Sequence, residues 1–132
     1  AEAEGTYEGH LDYLHDSERN EAYERAIRQA LASGPPGQLH VVDVGTGSGL
    51  LALMAARAGA ASVEAFECVP TLAALAAENV RLNGFQDRVR VLPASSLLAR
   101  PDGAGWEVPG LGRGRRADIL VSELLDTDLI GE

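Results

Sequence analysis

Lysine is absent from this chain. All eleven basic residues are arginine, set against twenty acidic ones for a net charge of −9. A phosphate-cradling P-loop needs lysine and is therefore excluded. The acidic balance argues against direct DNA or RNA binding, and suits either a cationic partner or plain solubility. Cysteine is almost as scarce. Cys68 stands alone, so there is no internal disulfide and no cysteine-based zinc cluster, and a reducing compartment is the default. With aromatics at only 5% of residues, the core of this 45% apolar chain has to come from alanine, leucine and valine. No apolar run reaches the length that crosses a membrane, and the first residues lack the charged-then-apolar pattern of a signal peptide. The chain starts without Met and ends on Leu129-Ile130-Gly131-Glu132. Both features lead to the expectation that it is excised from something longer.

What is present is organised around Val41-Val42-Asp43-Val44-Gly45-Thr46-Gly47-Ser48-Gly49-Leu50. β-Branched residues run into a glycine-rich turn, and an alanine-rich helical segment follows. Such a junction lets backbone approach a nucleotide-like ligand closely. Upstream, residues 1–15 read as acidic and irregular. Asp16-Ser17-Glu18 reads as a helix start, and Ala22, Tyr23, Ala26, Ile27, Ala30 and Leu31 form one apolar stripe. Ser33-Gly34-Pro35-Pro36-Gly37 ends that helix.

Downstream, helix is expected over 50–58, strand over 62–66, and helix from Pro70 to the Asn83-Gly84 stop. Strand follows at 89–92 and again at 117–121. Residues 99–116, rich in Gly, Pro and Arg, read as an exposed loop anchored by Trp106. Strands alternating with helices imply an α/β fold with a parallel sheet. Two parts are expected, an N-terminal acidic segment and helix at 1–38 and a partial Rossmann-like domain at 39–132.

Ligands bind such sheets outside the carboxyl ends of the strands. The glycine loop, Glu67, Ser95 and Ser96, and Glu123 each follow one strand. A dinucleotide fingerprint needs glycine at the sixth position of the loop, where this chain has Leu50. Asp43-x-Gly45-x-Gly47-x-Gly49 instead resembles motif I of S-adenosylmethionine-dependent methyltransferases. Glu67 stands where an acid would accept hydrogen bonds from both ribose hydroxyls.

The carboxyl end narrows the resemblance. Ser122-Glu123-Leu124-Leu125-Asp126-Thr127-Asp128-Leu129-Ile130-Gly131-Glu132 is similar to the double-glutamate loop of protein arginine methyltransferases, most of all the monomethylating type III (seventh-member) branch. Leu14-His15-Asp16-Ser17-Glu18-Arg19-Asn20 resembles the segment before that branch's first helix. The resemblance implies an incomplete Rossmann-like methyltransferase sheet with an N-terminal helix, and the family's C-terminal β-barrel is absent from this stretch. It implies S-adenosyl-L-methionine as cofactor, held by His10, Arg19, Asp43, Gly45, Gly47, Glu67 and Ser96, with Glu123 and Glu132 as the catalytic pair.

Implied partners are arginine-containing protein substrates, basic Arg/Gly-rich tracts above all, with a homodimer or pseudo-dimer in a full-length protein and a cytoplasmic or nuclear location. Tyr13 departs from the methionine of many relatives. Leu97 and Leu98 fall where many carry a glutamate near the adenine. Two other readings stay open, an inactive cofactor- or partner-binding module and a methyltransferase acting on another substrate. Arg113-Gly114-Arg115-Arg116 looks like the tracts such enzymes modify, although a solvated loop is the plainer reading.

Overall fold

A computed structural model describes the backbone of residues 2–123 and the side chains of residues 17–123. Helix α1 spans Glu2–Ala32, twice the length expected. The segment before Asp16 contains no proline, and its glutamates, alanines and leucines favour helix. Nothing there stops a helix that the sequence starts later. Ile27 and Leu31 on its last turns are buried against the rest of the core.

Strand β1 (His40–Val44) leads into the glycine turn and α2 (Leu50–Arg57). Strand β2 (Ser62–Phe66), α3 (Pro70–Leu82) and β3 (Val89–Leu92) follow, with Pro70 in the first turn of α3 as expected. Strand β7 (Ile119–Ser122) returns to the other side of β1, after a 3₁₀ turn at Ser96–Leu98 and three short strands. The main sheet is parallel in the order β3-β2-β1-β7. Chain order therefore reverses between β1 and β7, and their carboxyl ends open the crevice where this class of sheet takes its ligands.

The two faces of the sheet are covered differently. On one, Val41, Val63, Ala65 and Val89 pack against α1 and α2 through Ile27, Leu31, Leu51 and Met54, and against α3 through Val80. On the other, Val42, Phe66 and Leu92 meet Val108 and Trp106.

That second cover corrects the loop expected at 99–116. Strands β4 (Arg100–Asp102), β5 (Gly105–Val108) and β6 (Gly112–Arg115) form a three-stranded antiparallel ribbon. Glycine has low strand propensity, so Gly112-Arg113-Gly114-Arg115 carries no strand signal. Its glycines serve close approach instead. A Cβ on Gly114 would run into Trp106 and Glu64, and one on Gly105 into the carbonyl of Gly114. The indole anchor itself is present: the Trp106 and Phe66 rings lie 5.1 Å apart at 53°.

A polar cluster fastens the ribbon to the sheet. Arg90 Nη2 donates to Arg113 O at 2.6 Å and lies 3.2 Å from Glu64 Oε2, with its guanidinium over the Trp106 ring. Fully buried His40 places Nδ1 at 2.6 Å from Ser62 Oγ and Nε2 at 3.1 Å from Glu64 Oε1. The second contact is close enough for an ion pair but is not aligned as a hydrogen bond. At the other end of β1, Ser122 Oγ donates to Val44 O at 3.1 Å and stitches β7 to β1 beside the crevice.

Candidate functional site

The glycine turn is built for close backbone approach. Gly45, Gly47 and Gly49 have φ of 73°, 56° and 94°, a region that side-chain-bearing residues avoid. The amides of Gly45 and Thr46 both donate to Phe66 O at 2.9 Å, which holds the turn's first leg against the end of β2. A Cβ on Gly47 would meet nothing within 4 Å, so this residue faces open space.

Glu67, the first residue after β2, is buried, and both its carboxylate oxygens are engaged. Oε1 accepts from Gly47 N at 2.8 Å and Oε2 from Val69 N at 3.0 Å. Each carboxylate oxygen has two lone pairs, so the group can still accept from a ligand's hydroxyls. It thereby fixes the turn and one wall of the crevice together.

Arg19 on α1 and Glu123 after β7 meet across the crevice at 2.5 Å. They border a cavity of about 380 Å³ with Asn20, Gly45, Thr46, Gly47, Ser48, Leu50 and Leu51. A cation and an anion thus stand side by side above the glycine turn, both partly solvent-exposed.

Beneath the turn lies Asp43, with no solvent exposure. Burial pushes its carboxyl from 3.8 up to about 6, and the negative charges of Glu123 and Glu67 push the same way. The nearby Thr46 hydroxyl and Ala52 backbone act in opposition. Neither makes a hydrogen bond of good geometry with it, and both Asp43 oxygens and Thr46 Oγ1 lack a partner among the described residues. Asp43 therefore underlies the turn as a poorly solvated carboxyl, a position that favours a cationic neighbour above it.

Of the expected site, Arg19, Gly45, Gly47 and Glu123 line the crevice, while Asp43 is buried beneath its turn and Glu67 is bonded to Gly47. Ser96 lies elsewhere. It lines a larger cavity of about 520 Å³ under the ribbon with Val42, Phe66, Trp106, Arg116 and Leu120. Ser95, its neighbour, caps the 3₁₀ turn by accepting from Leu97 N. Glu132 and the side chain of His10 lie outside the described residues. So do the remainder of the double-glutamate loop and the side chain of Tyr13.

The ribbon cavity is the roomier of these two. Its lining is mainly apolar, with Ser96, Arg100 and Arg116 as side chains that could orient a ligand. The smaller cavity sits at the reversal of strand order, with positive-φ glycines and opposed charges converging on it. That is the arrangement expected of a polar cofactor site.

Residues 25–130 match the family model described as ribosomal protein L11 methyltransferase (PrmA). Protein arginine N-methyltransferase 7 of Anopheles gambiae is 45% identical over 92% of this chain, and the chain spans 17% of that relative. The curated relatives it matches are thus about six times longer. Among solved structures, the Trypanosoma brucei PRMT1 enzyme–prozyme heterotetramer with AdoHcy aligns with TM-score 0.64 and 29% identity, covering 88% of this chain and 32% of that one. Arabidopsis thaliana protein arginine methyltransferase 10 gives 0.63 and 30%, covering 88% and 29%.

Proposed function

Since this chain belongs to the methyltransferase family that the L11 methyltransferase model describes, and within that fold to the protein arginine N-methyltransferases, we propose that it binds S-adenosyl-L-methionine and supplies the cofactor side of an arginine methyl-transfer site. The observation that carries this reading is the Glu67–Gly47 hydrogen bond. It sets an acid and a positive-φ glycine turn together at the edge of a crevice that Arg19 and Glu123 close.

The residues fit that cofactor chemically. Glu67 has lone pairs left for a ribose diol, and Gly47 leaves the space a side chain would fill. Arg19 can pair with a carboxylate, and buried Asp43 favours positive charge nearby. When bound, the cofactor supplies a sulfonium methyl group as electrophile. Bringing a second cation, the substrate guanidinium, beside it is costly in a poorly solvated site.

Glu123 offsets that cost. It accepts guanidinium hydrogen bonds, fixes the plane of the group and draws positive charge toward the nitrogens facing it. The nitrogen facing the methyl keeps more lone-pair character, so in-line attack depends mainly on alignment. Glu132 is proposed as the second carboxylate of that clamp. In this reading Arg19 exchanges Glu123 for the cofactor carboxylate, which releases Glu123 for the substrate.

Basic Arg/Gly-rich tracts are the proposed substrates, in keeping with a charge of −9. The proposal extends to a homodimer or pseudo-dimer of the whole protein, on the precedent of the trypanosome heterotetramer.

Calorimetric titration with S-adenosylhomocysteine tests the reading. One site per chain is expected, weakened at least tenfold by Glu67→Ala, which removes the carboxylate from both turn and ligand. Equal affinity in the variant, or no heat from the unaltered chain, would contradict it.

A further inference from the structure

The amides of Gly45, Thr46 and Gly47 are all held from the β2 side, by Phe66 O and Glu67. The second leg of the turn, Ser48-Gly49, is held from α3. Asn79 Nδ2 donates to Ser48 O at 2.9 Å, a bond between residues 31 positions apart. Ala76, nearly one turn earlier on α3, lies under Gly49, where an added Cβ would stand 3.4 Å from Ala76 Cα. The amide of Val69, the residue that caps α3, donates to Glu67. Helix α3 therefore holds the second leg of the turn through Asn79 and reaches the first only by way of Val69 and Glu67, while the sheet grips only the first leg.

We propose that Asn79 is a positioning residue for the cofactor turn, one that acts through Ser48 and touches no ligand. The inference rests on the reading that this turn binds S-adenosylmethionine, and it adds α3 to the apparatus that shapes the site. Only the amide nitrogen end of Asn79 can serve, because the Ser48 carbonyl needs a donor. Releasing that carbonyl frees the leg that joins Gly47 to α2. The turn then has to be re-ordered each time cofactor binds, and affinity falls.

Asn79→Asp is the sharpest test, since it keeps the shape of the side chain and replaces the donor with an acceptor that repels the carbonyl. Glu78→Ala serves as control, because exposed Glu78 pairs only with Arg81 on the same helix among the contacts seen. Titration with S-adenosylhomocysteine should show Asn79→Asp binding about tenfold more weakly, which corresponds to ~1.4 kcal/mol. Glu78→Ala should bind as the unaltered chain does.

Amide hydrogen exchange of the free proteins supplies a readout that loss of general stability would not reproduce. In Asn79→Asp, exchange should quicken at Gly49, whose amide donates to Thr46 O within the turn, and stay unchanged along β1. Unaltered affinity in Asn79→Asp, or quickened exchange spread over the whole sheet, would overturn the proposal. A chain that exchanges as expected but binds no S-adenosylhomocysteine in any form would contradict the cofactor reading and leave the turn tether standing. Absence of both effects would remove the tether itself.

Discussion

Asp43 opposes the fold that it helps to shape. Its carboxyl is raised from 3.8 to about 6, so the folded chain prefers the neutral form more than the unfolded chain does. The sign follows from linkage: the associated stability is fully present below the unfolded value and is lost as pH rises through the folded one. A shift of this size corresponds to roughly 3 kcal/mol of lost stability at neutral pH. Asn cannot ionise, so Asp43→Asn should gain stability relative to the unaltered chain as pH is taken from 4 to 8, by up to about that amount. Paired thermal or denaturant melts across this range check it, and a pH-independent difference would show that the Asp43 carboxyl is not strained. Cofactor affinity should fall in the same variant, because a cationic ligand loses its buried countercharge.

Glu123 carries the opposite test. Glu123→Gln in the whole enzyme should reduce methyl transfer to an arginine peptide by at least a hundredfold, since a neutral amide cannot offset two cations. S-Adenosylhomocysteine affinity should stay within a few-fold. Loss of cofactor binding on the same scale as the loss of transfer would mean that Glu123 serves the cofactor and not the substrate.

At the scale of elements, the ribbon depends on glycines with no room for a side chain. Gly114→Ala would push a methyl group into Trp106 and Glu64, two residues that tie the ribbon to the sheet. Overpacking of this kind costs about 1–3 kcal/mol, so the melting temperature should fall by several degrees. Trp106 fluorescence should show the indole becoming more exposed. An unchanged melt would mean that the ribbon rides loosely on the sheet.

The same glycines explain what the sequence hid. Strands β1, β2 and β3 were legible because β-branched and apolar residues cluster between strong punctuation. Strand β6 was not, since Gly-Arg-Gly-Arg carries no apolar face and is held by contacts to Trp106 and Arg90 from distant positions. Arg90, on β3, stays partly exposed while it clasps the ribbon. The geometry of the candidate site was legible for a related reason. Glycine at a positive-φ turn and an acid at the next strand end are local features, so Gly47 and Glu67 could be named from sequence. The grip of Asn79 on Ser48 spans 31 residues and leaves no local mark.

At the scale of the molecule, the chain spans about a sixth of the curated relatives' length, and its proposed part is the cofactor side of a methyl-transfer site. Its sheet leaves Leu120 on β7 65% exposed beside the ribbon cavity, while the polar crevice opens at the reversal of strand order. The ribbon cavity is the roomier alternative to the polar crevice for a small ligand. Mapping backbone amide shifts by nuclear magnetic resonance while adding S-adenosylhomocysteine decides between them. Saturable shifts are expected at Gly45, Thr46, Gly47, Glu67 and Arg19, with the ribbon residues Gly105, Trp106 and Arg115 unmoved. Shifts confined to the ribbon and Leu120, or none at all, would contradict a cofactor site in the crevice.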